Sequence, residues 1–243
     1  MNLGVIIGRI GGVDGVALET EKWIEVLKRM GHTVYIVSGQ YEDRKLDPEF
    51  ETLIPEMSFF SPESYWSQKK AFHQPDTEVQ ELSDHLNLYS KVIYKKLLNW
   101  LSKRNIDLII SENASALPFH LEMGLAIKNM VLKTGIPTIT HDHDFMWERG
   151  SRYHSPHKEV EKYLEEHFPL RAPNAIHAVI NSNAQSVIKE RYNRDSIIVP
   201  NVMDFDEPFA TVNDKNRCLH RDLGFNCDEI LLFQITRIVR RKG

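Results

Sequence analysis

Apolar runs and turn signals alternate along most of this chain, and the period of each run names the element it predicts. Leu3 to Ile7 is a short apolar run that predicts a strand, and Gly8-Arg9-Ile10-Gly11-Gly12-Val13-Asp14-Gly15 predicts a glycine-rich turn. Val16, Thr20, Trp23, Ile24, Leu27 and Met30 then recur at three- and four-residue spacing, which predicts a helix ended by Gly31. Thr33 to Ser38 predicts the next strand. Strand, turn, helix and strand in that order make a right-handed crossover unit, the seed of a parallel sheet.

From Gln40 to Thr77 the rhythm fails. Pro48, Pro55, Pro62 and Pro75 interrupt it, and only a strand near Thr52 to Met57 is expected within an irregular loop. Helical spacing returns with Leu82, Leu86, Tyr89, Ile93, Leu97 and Leu101. Ile106 to Ser111 predicts a buried strand ending in Glu112-Asn113, and Leu117 to Lys133 a helix. The run from Gly135 to Thr140 predicts another buried strand, which breaks into His141-Asp142-His143-Asp144. Pro156 to His167 is expected to be helical, Ala175 to Asn181 a strand, Asn183 to Arg191 a helix and Ser196 to Val199 a strand.

Pro200-Asn201-Val202-Met203-Asp204 then opens a charged, weakly patterned segment. Glu229 to Thr236 predicts a fresh strand, and Arg237 to Gly243 carries Arg237, Arg240, Arg241 and Lys242. The expected architecture is α/β: a Rossmann-like parallel sheet with helices on both faces over 1–204. A linker over 205–228 and the first strand and turn of a truncated second domain over 229–243 follow it.

Composition narrows the function classes. At 42% hydrophobic and 26% charged residues the usage is that of a globular chain, and a net charge of −4 supplies no basic field for nucleic acid. Cys218 and Cys227 have neither zinc-ligand spacing nor a disulfide framework around them. No segment approaches the roughly 18 to 20 apolar residues of a membrane span, and no basic leader opens the chain. A cytoplasmic protein without nucleic-acid partners is expected.

Parallel sheets gather their chemistry at the carboxyl ends of their strands, which singles out His141 to Asp144. Alternation puts His141 and His143 on one face, with Asp142 and Asp144 on the other. Two imidazoles and two carboxylates suit three jobs: orienting a polar substrate, acid–base chemistry, or holding a metal. A metal needs further ligands, and His120, His154 and His157 show no tight ligand spacing.

Gly11 and Gly12 lie between a strand and a helix N-terminus. They either meet an anion there or only let the backbone turn tightly. Their spacing is neither the dinucleotide fingerprint nor a P-loop. Glu112 is a site residue or a cap partner, and Asn113 is a credible helix start. Trp147 and Arg149 lie in a charged loop that suits a sugar or phosphorylated acceptor, or is simply solvated. Arg237 and Lys242 suit a diphosphate, or form a solvated basic end.

Four pieces in a fixed order resemble the GT-B retaining glycosyltransferases of family 4. They are Gly11-Gly12, Thr140-His141-Asp142, Val199-Pro200-Asn201-Val202-Met203-Asp204, and Arg237 through Lys242-Gly243. The resemblance implies transfer of a sugar from a nucleotide diphosphate sugar to an acceptor, with retention and no bound metal or other cofactor. It implies that His141, with Asp142 beside it, serves the reacting sugar, and that Gly11, Gly12, Arg237 and Lys242 lie at the donor phosphates. Glu112, Asn113, His143, Asp144, Trp147 and Arg149 are then the candidates for acceptor or sugar contacts.

Thr236 replaces the family's usual glycine, and Pro-Asn-Val its Pro-Asn-Gly. The family's donor-gripping glutamates fall beyond Gly243. The 243-residue chain alone is therefore expected to be inactive and to need a C-terminal domain, in cis or as a separate subunit. The competing expectations are a non-catalytic α/β module that binds a sugar or a protein, and a metal-dependent hydrolase using His141, Asp142 and His143.

Overall fold

The computed structural model describes residues 1–203, 211–226 and 228–233. The chain divides into two compact units, Met1–Val202 and Met203–Gly243.

The first unit is built on a seven-stranded sheet in which every pairing is parallel. In chain order its strands are β1 (Asn2–Ile7), β3 (Thr33–Ser38), β5 (Glu51–Leu53), β6 (Leu108–Glu112), β7 (Thr138–Asp142), β8 (Ala175–Val179) and β9 (Ser196–Ile198). A separate two-stranded pair joins β2 (Ile10–Gly11) to β4 (Tyr41–Glu42). The helices are α1 (Gly15–Arg29), α2 (Pro62–Phe72), α3 (Val79–Arg104), α4 (Leu121–Thr134), α5 (Lys158–His167) and α6 (Ser182–Tyr192).

The strand order β5-β3-β1-β6-β7-β8-β9 reverses direction between β1 and β6. That gap is a topological switch point, where loops from the two halves diverge and leave a crevice. The turn after β1 and the Glu112 end of β6 therefore flank one opening, and β7 delivers His141 beside it.

Alternation assigns the two faces. Val5, Ile7, Ile110 and Ile36 pack under α1 with Ile24, Trp23 and Leu27. On the other face Ile6, Val37 and Ile109 pack against Ile93, Leu97 and Trp100 of α3 and Ala126, Ile127 and Met130 of α4. Val179 meets Ala184 and Ile188 of α6 on that same face. The Rossmann-like sheet with helices on both faces is thus as expected.

Several boundaries differ. Residues 40–77 hold a whole helix, α2, where only a strand and a loop were expected, and the strand shrinks to Glu51–Leu53. The inward face of α2 is Ser64, Ser67, Ala71 and Phe72, too polar to show an apolar stripe. Its start is nonetheless conventional, with Ser61 capping the Ser64 N–H at 3.2 Å and Pro62 at the first helical position.

α4 begins at Leu121 under a cap from His120, not at Asn113. In the second unit a short helix, α7 (Leu219–Asp222), interrupts the segment expected to be linker. Glu229 to Phe233 form no strand, and residues 234–236 lie outside the described residues.

Candidate active site

His141 is the centre of the cluster at the switch point. Register places it directly opposite Glu112 on the neighbouring strand. Its Nδ1 lies 2.9 Å from Glu112 Oε2, and both side chains are fully buried. The ring stacks on Trp23 of α1 with centroids 4.3 Å apart and planes at 28°. His143, whose ring is 4.4 Å from that of His141, brings its Nε2 to 3.9 Å from the same Glu112 oxygen. The Nδ1 of His143 faces the Asn201 amide at 3.3 Å.

Burial alone would raise the Glu112 carboxyl. The hydrogen bond from His141 and the adjoining His143 ring outweigh it and hold Glu112 below the usual carboxylate range. Glu112 Oε1, His141 Nε2 and His143 Nε2 are buried without a hydrogen-bond partner. Among the described residues, Glu112, His141 and His143 are also the group whose ligand atoms, within 4.8 Å of one another, could hold a metal ion.

Asn113 holds the backbone of this cluster. It adopts a left-handed conformation at φ 50°, which short polar side chains tolerate. Its N–H donates to the His141 carbonyl at 2.9 Å, and its Oδ1 accepts from the His143 N–H at 3.1 Å. Asn113 thus shapes the turn after β7 and starts no helix.

Asp142 goes elsewhere. The strand turns it to the face opposite His141, where its Oδ2 lies 2.8 Å from His177 Nδ1 and accepts from the Thr140 hydroxyl at 2.8 Å. All three side chains are buried on β7 and β8. Asp142 therefore lies on the face opposite His141, where strand alternation put it, and not beside His141 as the family resemblance implied. Asp144 pairs with Arg149, five residues along the same loop. Trp147 stacks on Phe145 with centroids 4.6 Å apart and lies under Arg191 of α6 at 4.9 Å. It packs on the Asp142 side of the sheet, away from α1.

The glycine loop has a structural reason of its own. Gly11 has φ 88°, and a Cβ there would come within 2.1 Å of the Glu42 carbonyl oxygen, because β2 pairs with β4. Gly12 follows at φ 65°. Asp14 caps α1 through the Val16 N–H at 3.1 Å and receives Arg9 at 2.8 Å. The first N–H groups of the helix are thus already partly satisfied by a carboxylate. Arg237 and Lys242 lie outside the described residues.

Sequence reasoning missed Trp23 and His177 as partners. Trp23 was visible only as one apolar position of α1, and His177 only as a polar residue inside an apolar strand. Asn201 was quoted as part of a motif, without its link to His143.

The sequence profile of Glycosyltransferase Family 4 matches residues 13–207. The chain belongs to glycosyltransferase family 4. Two curated relatives bear the name mannosylglucosylglycerate synthase. The one from Petrotoga mobilis is 32% identical over 244 residues, and the one from Thermotoga maritima 33% identical over 244 residues. Each alignment covers 100% of this chain and 54% of the relative, so the chain spans about half the length of the curated relatives it matches.

Among solved structures, WaaG, a glycosyltransferase involved in lipopolysaccharide biosynthesis, aligns with a TM-score of 0.48 and 11% identity. That alignment covers 91% of this chain and 51% of WaaG. As in the family's GT-B fold, the chain supplies a Rossmann-like parallel sheet. No helix of the described residues is long and apolar enough to cross a membrane.

Proposed function

We propose that this family 4 glycosyltransferase moves a hexosyl group from a nucleotide diphosphate sugar to an acceptor with retention of configuration, and that this chain forms the acceptor-side half of the site. The single observation that carries the reading is the family match across 13–207, with His141 delivered to the switch point of the sheet it spans. In this reading His141 meets the donor sugar, and the loop at Gly11 and Gly12 lines the crevice beside the donor phosphates. Arg237 and Lys242 neutralise the leaving diphosphate, where negative charge develops as the glycosidic bond breaks. No resident metal is assigned to this work.

The names of the two relatives suggest the product class, a glycosylated glycerate, and we extend that class to this chain. A second, donor-side domain completes the enzyme, and residues 1–243 alone show no turnover. The test is turnover of nucleotide sugars by the full-length protein with glycerate-bearing sugars as acceptors. His141→Ala is expected to abolish it, and proton NMR of the product is expected to show the anomeric configuration of the donor. Full activity of the His141→Ala protein, or an inverted product, would overturn the assignment.

A further inference from the structure

The pairing of His141 with Glu112 does more than bury two polar groups, and what it does rests on the transferase reading of His141. We propose that Glu112 is the positioning residue of this site: it fixes the His141 imidazole with the proton on Nδ1, so that Nε2 is the one atom His141 turns to the substrate.

The argument runs through donor and acceptor inventory. Glu112 Oε2 lies 2.9 Å from His141 Nδ1, a hydrogen-bond distance. At that distance the Glu112 oxygen is the acceptor, so the proton of that bond belongs to Nδ1. Nε2 is left as the ring nitrogen without a partner, and it is buried. In an imidazole the partner of one nitrogen decides what the other can do. Rotation of the ring is blocked as well. Trp23 stacks on it at 4.3 Å, and the turn held by Asn113 fixes the backbone that follows it.

Glu112 is as deeply buried as His141 itself, and the contact it makes is with that ring.

Three full-length proteins carry the test: unsubstituted, Glu112→Gln and Glu112→Leu. Glutamine keeps an oxygen acceptor and loses the charge, whereas leucine loses both. Proteins labelled with ¹⁵N-histidine report the tautomer, with the His141 resonances assigned by their loss in His141→Ala. We expect an Nδ1–H, Nε2-lone-pair pattern in the unsubstituted and Gln proteins and its loss in Leu. Partners that orient a metal-bound imidazole are worth about 10- to 100-fold, and a comparable loss is expected for this one. The fall in kcat is accordingly about 10-fold for Gln and about 100-fold for Leu, with the donor KM within about 2-fold for both, because the lost interaction acts in the transition state.

An Nε2–H pattern in the unsubstituted protein would overturn the proposal. So would an unchanged kcat in the Leu protein, or a stoichiometric divalent ion that is lost in it. The nitrogen pattern is read without substrate. If no nucleotide sugar is turned over, the transferase reading fails, and the pattern still decides whether Glu112 sets the tautomer.

Discussion

Asp142 and His177 face each other across adjacent strands at 2.8 Å, one residue along from His141 and on the opposite side of the sheet. Both are buried, with the Thr140 hydroxyl as a shared neighbour. The strand therefore carries two carboxylate–imidazole pairs back to back, one beside α1 and one beside α6.

The inner pair predicts a separation of stability from activity. Breaking a buried pair by removing one partner costs about 3 to 5 kcal/mol. For a chain of this length that lowers the melting temperature by roughly 6 to 20 °C. Asp142→Ala is expected to show that loss by calorimetry while keeping kcat within about 5-fold, since Asp142 does not face the crevice. A collapse of kcat in a protein that melts normally would restore Asp142 to the reacting centre.

Asn113 supports a finer dissection. Asn113→Gly keeps the left-handed backbone and loses the side-chain acceptor for the His143 and Asp144 N–H groups, at 3.1 and 3.4 Å. The expected cost is about 1 to 3 kcal/mol. Asn113→Ala adds roughly 1 kcal/mol for a Cβ in the left-handed region. Urea unfolding of both variants separates the two contributions, and equal midpoints would show that the backbone conformation is not strained.

Gly11→Ala is expected to disturb the loop far more than a surface alanine does. The left-handed backbone alone costs about 1 to 2 kcal/mol, and the new methyl group meets the Glu42 carbonyl. β2 and β4 must separate to admit it. The prediction is a lower melting temperature together with a raised donor KM, measured on the full-length protein. An unchanged KM would show that this loop does not border the donor.

Acid stability should depend on a third cluster, away from the crevice. Glu122 is buried between His120 at 3.1 Å and His85 at 3.4 Å. Burial works to raise its carboxyl, yet the two imidazoles bring it down to about 2. A carboxyl depressed in the folded state contributes stability above its unfolded value of 4.5, and that stability is lost as pH falls through about 2. His167 acts at higher pH. Its burial, with Lys128 beside it, lowers it from 6.5 to about 4, so the unfolded chain takes up the proton first and stability falls across that window. Thermal melts from pH 7 to 2 should show both slopes. Glu122→Gln should flatten the lower one, and a flat profile in the unsubstituted protein would contradict both.

Much of the fold was legible because its strands and most of its helices carry clean periods. β1, β3, β7 and β8 are apolar runs bounded by turn residues, and α3 repeats Leu82, Leu86, Ile93 and Leu97 inward. α2 was not legible, since a face of serines and alanine packs well without being hydrophobic. At the site, alternation along β7 was enough to put His141 and His143 together and Asp142 apart. What it could not supply was partnership across the chain. His177 lies 35 residues from Asp142, and Glu112 lies 29 from His141. Only the parallel register brings such pairs into contact, and nothing local announces it. Arg149 and Asp144 were named singly as ligand contacts, and their pairing with each other was not legible.

The Asn201 amide touching His143, and Lys22 of α1 reaching the Val202 carbonyl, give the exit of the first unit a mechanical meaning. The backbone that leaves the sheet here is moored to a ring of the site on one side and to the helix bearing Trp23 on the other.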